Sequence, residues 1–191
     1  MSNNVWFTSD LHFNHVNIIK YCGRPWTFEE QTEELISRWN SRVGEYDDVY
    51  HLGDFAFASR KQYDQVVEII KSLNGNIHFI RGNHCDAELW GMIEQTRLPH
   101  VVWIKDYAKI RVQGQKVILS HFPFASFDGM HHGSWHLHGH CHGSLILPGK
   151  VLDVGIDNHV DFQIFSWSEI VEYMSNREIH VWDHHSPKDA R

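Results

Sequence analysis

Apolar positions recur along the chain with two different periods, and the switch between them predicts its elements. Short runs rich in β-branched and aromatic residues lie at 5–9, 48–52, 77–80, 101–104, 109–112, 117–120, 135–138, 151–154 and 179–182. Each has the length of a strand. Between the early runs the apolar spacing changes to three and four. Over residues 27–43, Leu35, Trp39 and Val43 share one face, and Thr27 followed by Glu30 three positions on is a capping-box start. Val66, Ile69, Ile70 and Leu73 mark a second helix over 61–73, and shorter helices follow Asp86 (86–95) and Ser166 (167–175). Gly114, between apolar stretches 110–112 and 117–119, predicts a hairpin.

The front half therefore reads strand–helix three times over, and the back half is mostly strands. That order predicts an α/β fold, a layered α/β/β/α sandwich of mixed sheets flanked by helices, its early strands parallel and its later ones mixed. With no repeat, low-complexity stretch or linker, residues 1–183 read as one domain and 184–191 as a C-terminal tail open to disorder.

Composition narrows the class. A chain of 191 residues, 42% hydrophobic and 13% aromatic, has the means to bury a core. No apolar run approaches the ~20 residues of a membrane span. The start of the chain lacks a basic segment followed by an apolar one, so no secretory signal is read. Cys22, Cys85 and Cys141 are odd in number and have no CxxC spacing, which argues against a disulfide framework. The cytoplasm is the expected location. A net charge of −7 disfavours broad binding to a nucleic-acid backbone, although bound divalent cations would reverse the sign locally. Histidine is abundant, at 17 residues, and its placement carries the chemistry.

Five strand ends each deliver Asp, Asn or His, often beside glycine. They are Asp10-Leu11-His12, Gly53-Asp54, Gly82-Asn83-His84, Ser120-His121 and Gly139-His140-Cys141-His142. In α/β sheets ligands bind at the carboxyl ends of strands, so these side chains are expected to converge. Asp10 and His12 are two apart, as are His140 and His142, which on extended backbone turns each pair to one side. The mixed oxygen and imidazole set suits Mn²⁺, Fe, Zn²⁺ or Ni²⁺ and suits Ca²⁺ poorly. Seven candidate ligands (Asp10, His12, Asp54, Asn83, His121, His140 and His142) exceed what one transition metal takes, and a pair of metals recurs in phosphatases and nucleases.

In this order the five blocks resemble the signature of the calcineurin-like metallophosphoesterase superfamily, over a span from Asp10 to His142. The strings Trp6-Phe7-Thr8-Ser9-Asp10 and Val49-Tyr50-His51-Leu52-Gly53-Asp54-Phe55 resemble its small bacterial and phage members. The resemblance implies one metal between Asp10, His12 and His142 and a second between Asn83, His121 and His140. Asp54 bridges the two, and His84 serves as the catalytic acid beside the scissile phosphate. The cofactors implied are two divalent transition-metal ions, Mn²⁺ foremost. The reaction expected is in-line attack of a metal-bridging hydroxide on a phosphoester, with phosphodiesters preferred to phosphomonoesters. The substrate is a small phosphoester, a nucleotide or a nucleic-acid end; no membrane and no obligate protein partner are implied. A non-catalytic scaffold on the same fold is the competing class, and filled ligand positions weigh against it.

Two departures from the family pattern bear on ligand orientation: Phe55-Ala56-Phe57 follows Asp54, and Cys85 stands after His84 where an acidic residue is usual. Cys85 and Cys141 near the site suggest oxidation sensitivity. Arg24 and Arg81 read either as phosphate contacts or as surface ion pairs. His51 and His138 flank ligand blocks and read equally as supporting groups or as residues without that role; His136 either shares a face with His138 and His140 on a straight strand or is simply solvated. Trp26, Phe55, Phe57, Phe122, Phe124, Phe127 and Trp135 are candidates for a base-stacking pocket, with core packing as the default. His15, His78, His100, His131, His132, His159, His180, His184 and His185 are left unassigned or as surface positions.

Overall fold

A computed structural model of the chain describes residues 3–181. The expected tail at 184–191 lies outside the described residues. The first sheet is built from β1 (Val5–Thr8), β2 (Asp48–His51), β3 (Asn76–Ile80), β4 (Val101–Lys105) and β9 (Phe165–Ser166), in the order β4-β3-β2-β1-β9. Its first four strands are parallel, as expected, and β9 closes the edge antiparallel to β1. The second sheet runs β5 (Tyr107–Val112), β6 (Gln115–Ser120), β7 (Trp135–His138) and β8 (Val151–Asp153). The β5–β6 pair is antiparallel, and β6, β7 and β8 are parallel. The hairpin turns at Gln113 and Gly114, with φ of +49° and +87°, the positive pair that matches the twist of two-residue hairpins.

Alternation along the strands assigns the two apolar layers. Trp6, Val49, Ile77 and Phe79 join the helix-side core, whereas Phe7, Leu52 and Ile80 join Leu119, Leu137 and Leu152 of the facing sheet. The helix-side core is closed by α2 (Phe28–Arg42), α3 (Tyr63–Ser72) and α4 (Ala87–Thr96). Thr27 and Glu30 form the expected capping box of α2, and Asp86 caps α4 by accepting from the Leu89 N–H. Across the other core, Trp167, Ile170 and Met174 of α5 (Trp167–Ser175) pack with the inter-sheet cluster. On the remaining face of the second sheet, His136 lies under Phe124 and Phe127 from the loop that leads to β7. Two mixed sheets flanked by helices result.

Three elements depart from expectation. Helix α1 (Val16–Cys22) has no signal in the sequence: its N-cap His15 makes no side-chain bond, its first turn has no acid, and only Ile18 is buried. Strand β9 is two residues long, too short to show an alternation. The apolar run at 179–182 is not a strand, since residues 179–181 are irregular and Trp182 lies outside the described residues.

Candidate metal centre

Every expected ligand sits just beyond the carboxyl end of a strand, in turns whose backbone still bonds the neighbouring loop, as the Asp10 N–H does to the Gly53 carbonyl and the His12 N–H to the Asp54 carbonyl. Asp10 and His12 follow β1, Asp54 follows β2, Asn83 and His84 follow β3, His121 follows β6, and His140 and His142 follow β7. Extended backbone is not what aims them. Asp10, His12, Asp54, His140 and His142 all adopt left-handed φ, between +46° and +70°. A non-glycine residue there is uncommon and strained, and such residues cluster at functional sites. The two-residue spacing therefore works through sharp turns, and His140 and His142 diverge to different clusters.

Two ligand groups form. Asp10, His12 and His142 present atoms within 4.8 Å of one another, as do Asp54, His121 and His140. Asn83 joins the second, with its Oδ1 2.9 Å from His121 Nε2. Asp54 Oδ2 stands between the groups, 3.8 Å from His12 Nε2 and 3.3 Å from His121 Nε2. His84 Nε2 is 3.9 Å from the same oxygen, and the His84 backbone N–H donates to Asp54 Oδ1 at 2.8 Å.

The donor set fits divalent cations. His12 is 1% exposed, yet neither of its ring nitrogens has a hydrogen-bond partner among the described residues, an expensive state unless something else occupies them. His121 Nδ1 lies 2.9 Å from the Leu52 carbonyl and His142 Nδ1 2.7 Å from Asp157 Oδ2. With the N–H at Nδ1 bonded in this way, each ring has Nε2 to offer toward the site, the arrangement typical of metal-bound imidazole. Burial pushes the Asp10 carboxyl up to about 7 against the pull of His142 and His121, and pushes His12 down to about 2. Burial also opposes the charge on His142, but its bonds to Asp157 and Cys22 lift it to about 10. A buried carboxylate short of positive charge and a neutral buried imidazole together are what a cation needs from its ligands.

Close approach explains the glycines. A Cβ on Gly53, where φ is +106°, would meet His121 Nδ1 at 2.3 Å, and one on Gly82 would meet Asp54 Oδ1 at 2.2 Å. The two departures after Asp54 and His84 meet each other: the Cys85 thiol lies 3.2 Å from Ala56 N and 3.0 Å from Ala56 O, clipping the two ligand loops together. Cys85 is 6% exposed and its thiol is pushed up to about 12, chiefly by burial, so the expectation of an oxidation-sensitive cysteine is corrected there. Asp86 is a helix cap.

A cleft of about 610 Å³ opens over the site, lined among others by His12, His15, Tyr21, Cys22, His84 and His142. Of the candidate aromatics, Trp26 and Phe55 are core, Phe124 and Phe127 stack on His136, and Trp135 packs on Trp167. Phe57 and Phe122 remain half exposed at the site: Phe57 lies 5.5 Å from the His84 ring and Phe122 4.6 Å from the His140 ring. His15 is not a plain surface residue, since its ring packs between Phe57 at 4.7 Å and His12 at 5.4 Å. Asp157 escaped the sequence reading because it belongs to none of the five blocks.

The other candidates are placed away from the cleft. His51 is fully buried, accepts from the Gly53 N–H and packs on Phe55. His138 Nδ1 lies 2.9 Å from the Gly139 carbonyl, and His136 Nε2 accepts from the Phe124 N–H. Arg81 pairs with Glu94 and Asp106. Arg24 is neither a surface residue nor open to a phosphate: it is 4% exposed and bonded to Asp157, Gln31 and two backbone carbonyls. His78, left unassigned or as a surface position, is buried and paired with Asp48.

Fold and site together place candidate metal-ligand clusters at the strand ends of a two-sheet α/β sandwich. Residues 4–189 match the family of calcineurin-like phosphoesterases, and the chain belongs to that family. An uncharacterized protein of Methanocaldococcus jannaschii is 37% identical over 141 residues, 73% of this chain and 70% of that one. The gene 66 protein of Mycobacterium phage L5 is 30% identical over 180 residues, 81% of this chain and 86% of that one. Among solved structures, a protein of unknown function from Aquifex aeolicus shares the fold with a TM-score of 0.68 at 20% identity, covering 90% of this chain and 100% of its own. A structure described as a novel archaeal phosphodiesterase has a TM-score of 0.50 at 19% identity, covering 80% and 82%. No described helix is long and apolar enough to cross a membrane.

Proposed function

We propose that the chain is a dinuclear metal-dependent phosphodiesterase, with Mn²⁺ as the favoured ion. The observation that carries the reading is the position of Asp54 Oδ2, within 4 Å of a histidine from each ligand cluster and of His84. Asp10, His12 and His142 would hold one ion, and Asn83, His121 and His140 the other, with Asp54 shared. Such a pair lowers the pKa of water and neutralises charge on phosphoryl oxygens.

The remaining roles belong to the chain's own side chains. His84 is not needed as a ligand, faces the cleft, and is held by its own N–H on Asp54 Oδ1. From there it donates a proton to the leaving oxygen. His15 and Phe57 wall its ring and limit the directions it can take. Preference for a diester rests on the rim: the half-exposed rings of Phe57, beside His84, and Phe122, beside the ligand His140, offer two apolar surfaces near the site. A diester carries an organic group to each; a monoester leaves one without a partner. The archaeal neighbour described as a phosphodiesterase accords with this reading.

Aryl phosphodiester and phosphomonoester hydrolysis should be measured side by side with Mn²⁺, Ni²⁺, Zn²⁺ and Mg²⁺. Faster diester cleavage with Mn²⁺ is expected, and a monoester preference under every ion would sink the diester assignment. His84→Ala should slow turnover by about 10²–10⁴-fold, most for poor leaving groups, with metal content unchanged.

A further inference from the structure

Arg24 is delivered by an element that the sequence does not announce. Helix α1 stops at Gly23, whose φ of +62° reverses the chain, and the following Arg24 turns inward beneath the first ligand cluster. A guanidinium has five N–H donors, and all five are used. Nε and Nη2 donate to the two carboxylate oxygens of Asp157 at 2.8 and 3.0 Å. Nη2 also donates to the Asp10 carbonyl at 2.7 Å, while Nη1 donates to the Leu11 carbonyl at 2.8 Å and to Gln31 Oε1 at 3.2 Å. Gln31 passes the chain of bonds on, its Nε2 donating to the His12 carbonyl at 3.3 Å. Asp157, so gripped, accepts from His142 Nδ1 at 2.7 Å.

One buried ion pair thus touches all three members of the first cluster: the Asp10 main chain directly, His12 through Gln31, and the His142 ring through Asp157. Among the described residues the second cluster has no such ion pair beneath it, and His121 is oriented by the Leu52 carbonyl. We propose that Asp157 and Arg24 are the positioning residues of the first metal site alone, Asp157 fixing His142 with Nε2 toward the ion and Arg24 fixing Asp157 and the Asp10–His12 turn. This rests on the two-metal reading above. Asp157 reaches the first cluster through the imidazole, its Oδ2 lying 2.7 Å from His142 Nδ1 while Arg24 pairs with both of its oxygens. The neighbouring Cys22 Sγ, 3.4 Å from His142 Nδ1, gives a competing arrangement to exclude, since Cys22, His142 and Asp157 are themselves close enough to share an ion.

The test is chelator competition on the Mn²⁺-loaded full chain, with retained manganese counted at each chelator concentration. Wild type is expected to lose its ions in two steps. Asp157→Ala should move one step to a chelator concentration lower by about 10–100-fold and leave the other within about twofold. Asp157→Asn, which keeps the volume and one acceptor, should move the same step less. Arg24→Lys should move it too, because one ammonium cannot span the carboxylate and both carbonyls. Cys22→Ala should move neither. The proposal is overturned if Asp157→Asn shifts both steps equally or neither, or if Cys22→Ala matches Asp157→Ala, which would make the cysteine trio the binding site. A wild type that retains a single manganese would refute the two-metal reading instead; the positioning roles then stand only if Asp157→Asn weakens that one step.

Discussion

The first ligand cluster hangs chiefly from side chains, with a main-chain bond from the His140 N–H to the Asp10 carboxylate at 2.9 Å, whereas the second hangs from main chain. Around Asp10, His12 and His142 the support is Arg24, Asp157 and Gln31, reached from α1, from the turn after β8 and from α2. Around Asp54, Asn83, His121 and His140 it is the Leu52 carbonyl, the His84 N–H and two glycines that let neighbouring loops touch. A site supported by side chains is weakened by changing charge, and a site supported by main chain by adding bulk. The same chemistry is therefore exposed to different kinds of damage on its two sides.

The change that ignores the distinction should have the largest effect. Asp54→Asn removes the carboxylate shared by both clusters and should reduce Mn²⁺-dependent diester cleavage to background; substantial residual turnover would mean that the clusters work independently. Gly53→Ala comes next and is directed at the second cluster. Its methyl would sit 2.3 Å from His121 Nδ1 and 2.6 Å from His121 Cγ, at a φ of +106°, so the ring or the backbone must yield. Such overpacking costs about 1–3 kcal/mol, visible as a lower denaturation midpoint, and the weakened manganese step should be the one that Asp157→Ala spares. Equal weakening of both steps would show that the two supports are not separate.

The smallest effect is expected far from both clusters and serves as their control. Glu169 closes the capping box of α5 with Ser166 and pairs with Arg42 of α2 at 2.9 Å. Burial opposes its charge, yet the bonds from Ser166 and Arg42 draw its carboxyl down to about 2 from an ordinary 4.5. A depressed folded-state value means that its stabilisation is complete above pH ~4.5 and is lost as pH falls toward 2. Glu169→Gln should lower the melting temperature by about 1–3 °C at neutral pH and narrow that difference on acidification. Manganese retention should not change; if it did, the helix layer and the site would be coupled.

The helix layer was largely legible because its signals are local. Thr27 with Glu30, Asp86 and Ser166 each cap the helix that follows them, and Leu35, Trp39, Val66 and Ile70 repeat with the helical period. Strand-end blocks were legible for the same reason, each being a few adjacent residues. Helix α1 was not: seven residues with a single buried position carry no period to read. The run at 179–182 misled because a short apolar stretch has the composition of a strand without a neighbour to pair with.

The sequence by itself determined the inventory: five polar blocks in order, two hydrophobic periods, and glycines at the loops that must approach closely. The grouping was implied by the family resemblance, and only the tertiary structure supplies its physical cause. His140 and His142, two residues apart, go to different clusters because both lie in left-handed turns, a backbone state that residue spacing does not encode. Arg24 and Asp157, 133 residues apart, are joined because α1 ends on Gly23 and the turn after β8 passes beside it. A charged pair is ambiguous along a chain, since either partner alone resembles any surface residue. It acquires a role only where folding removes water from both.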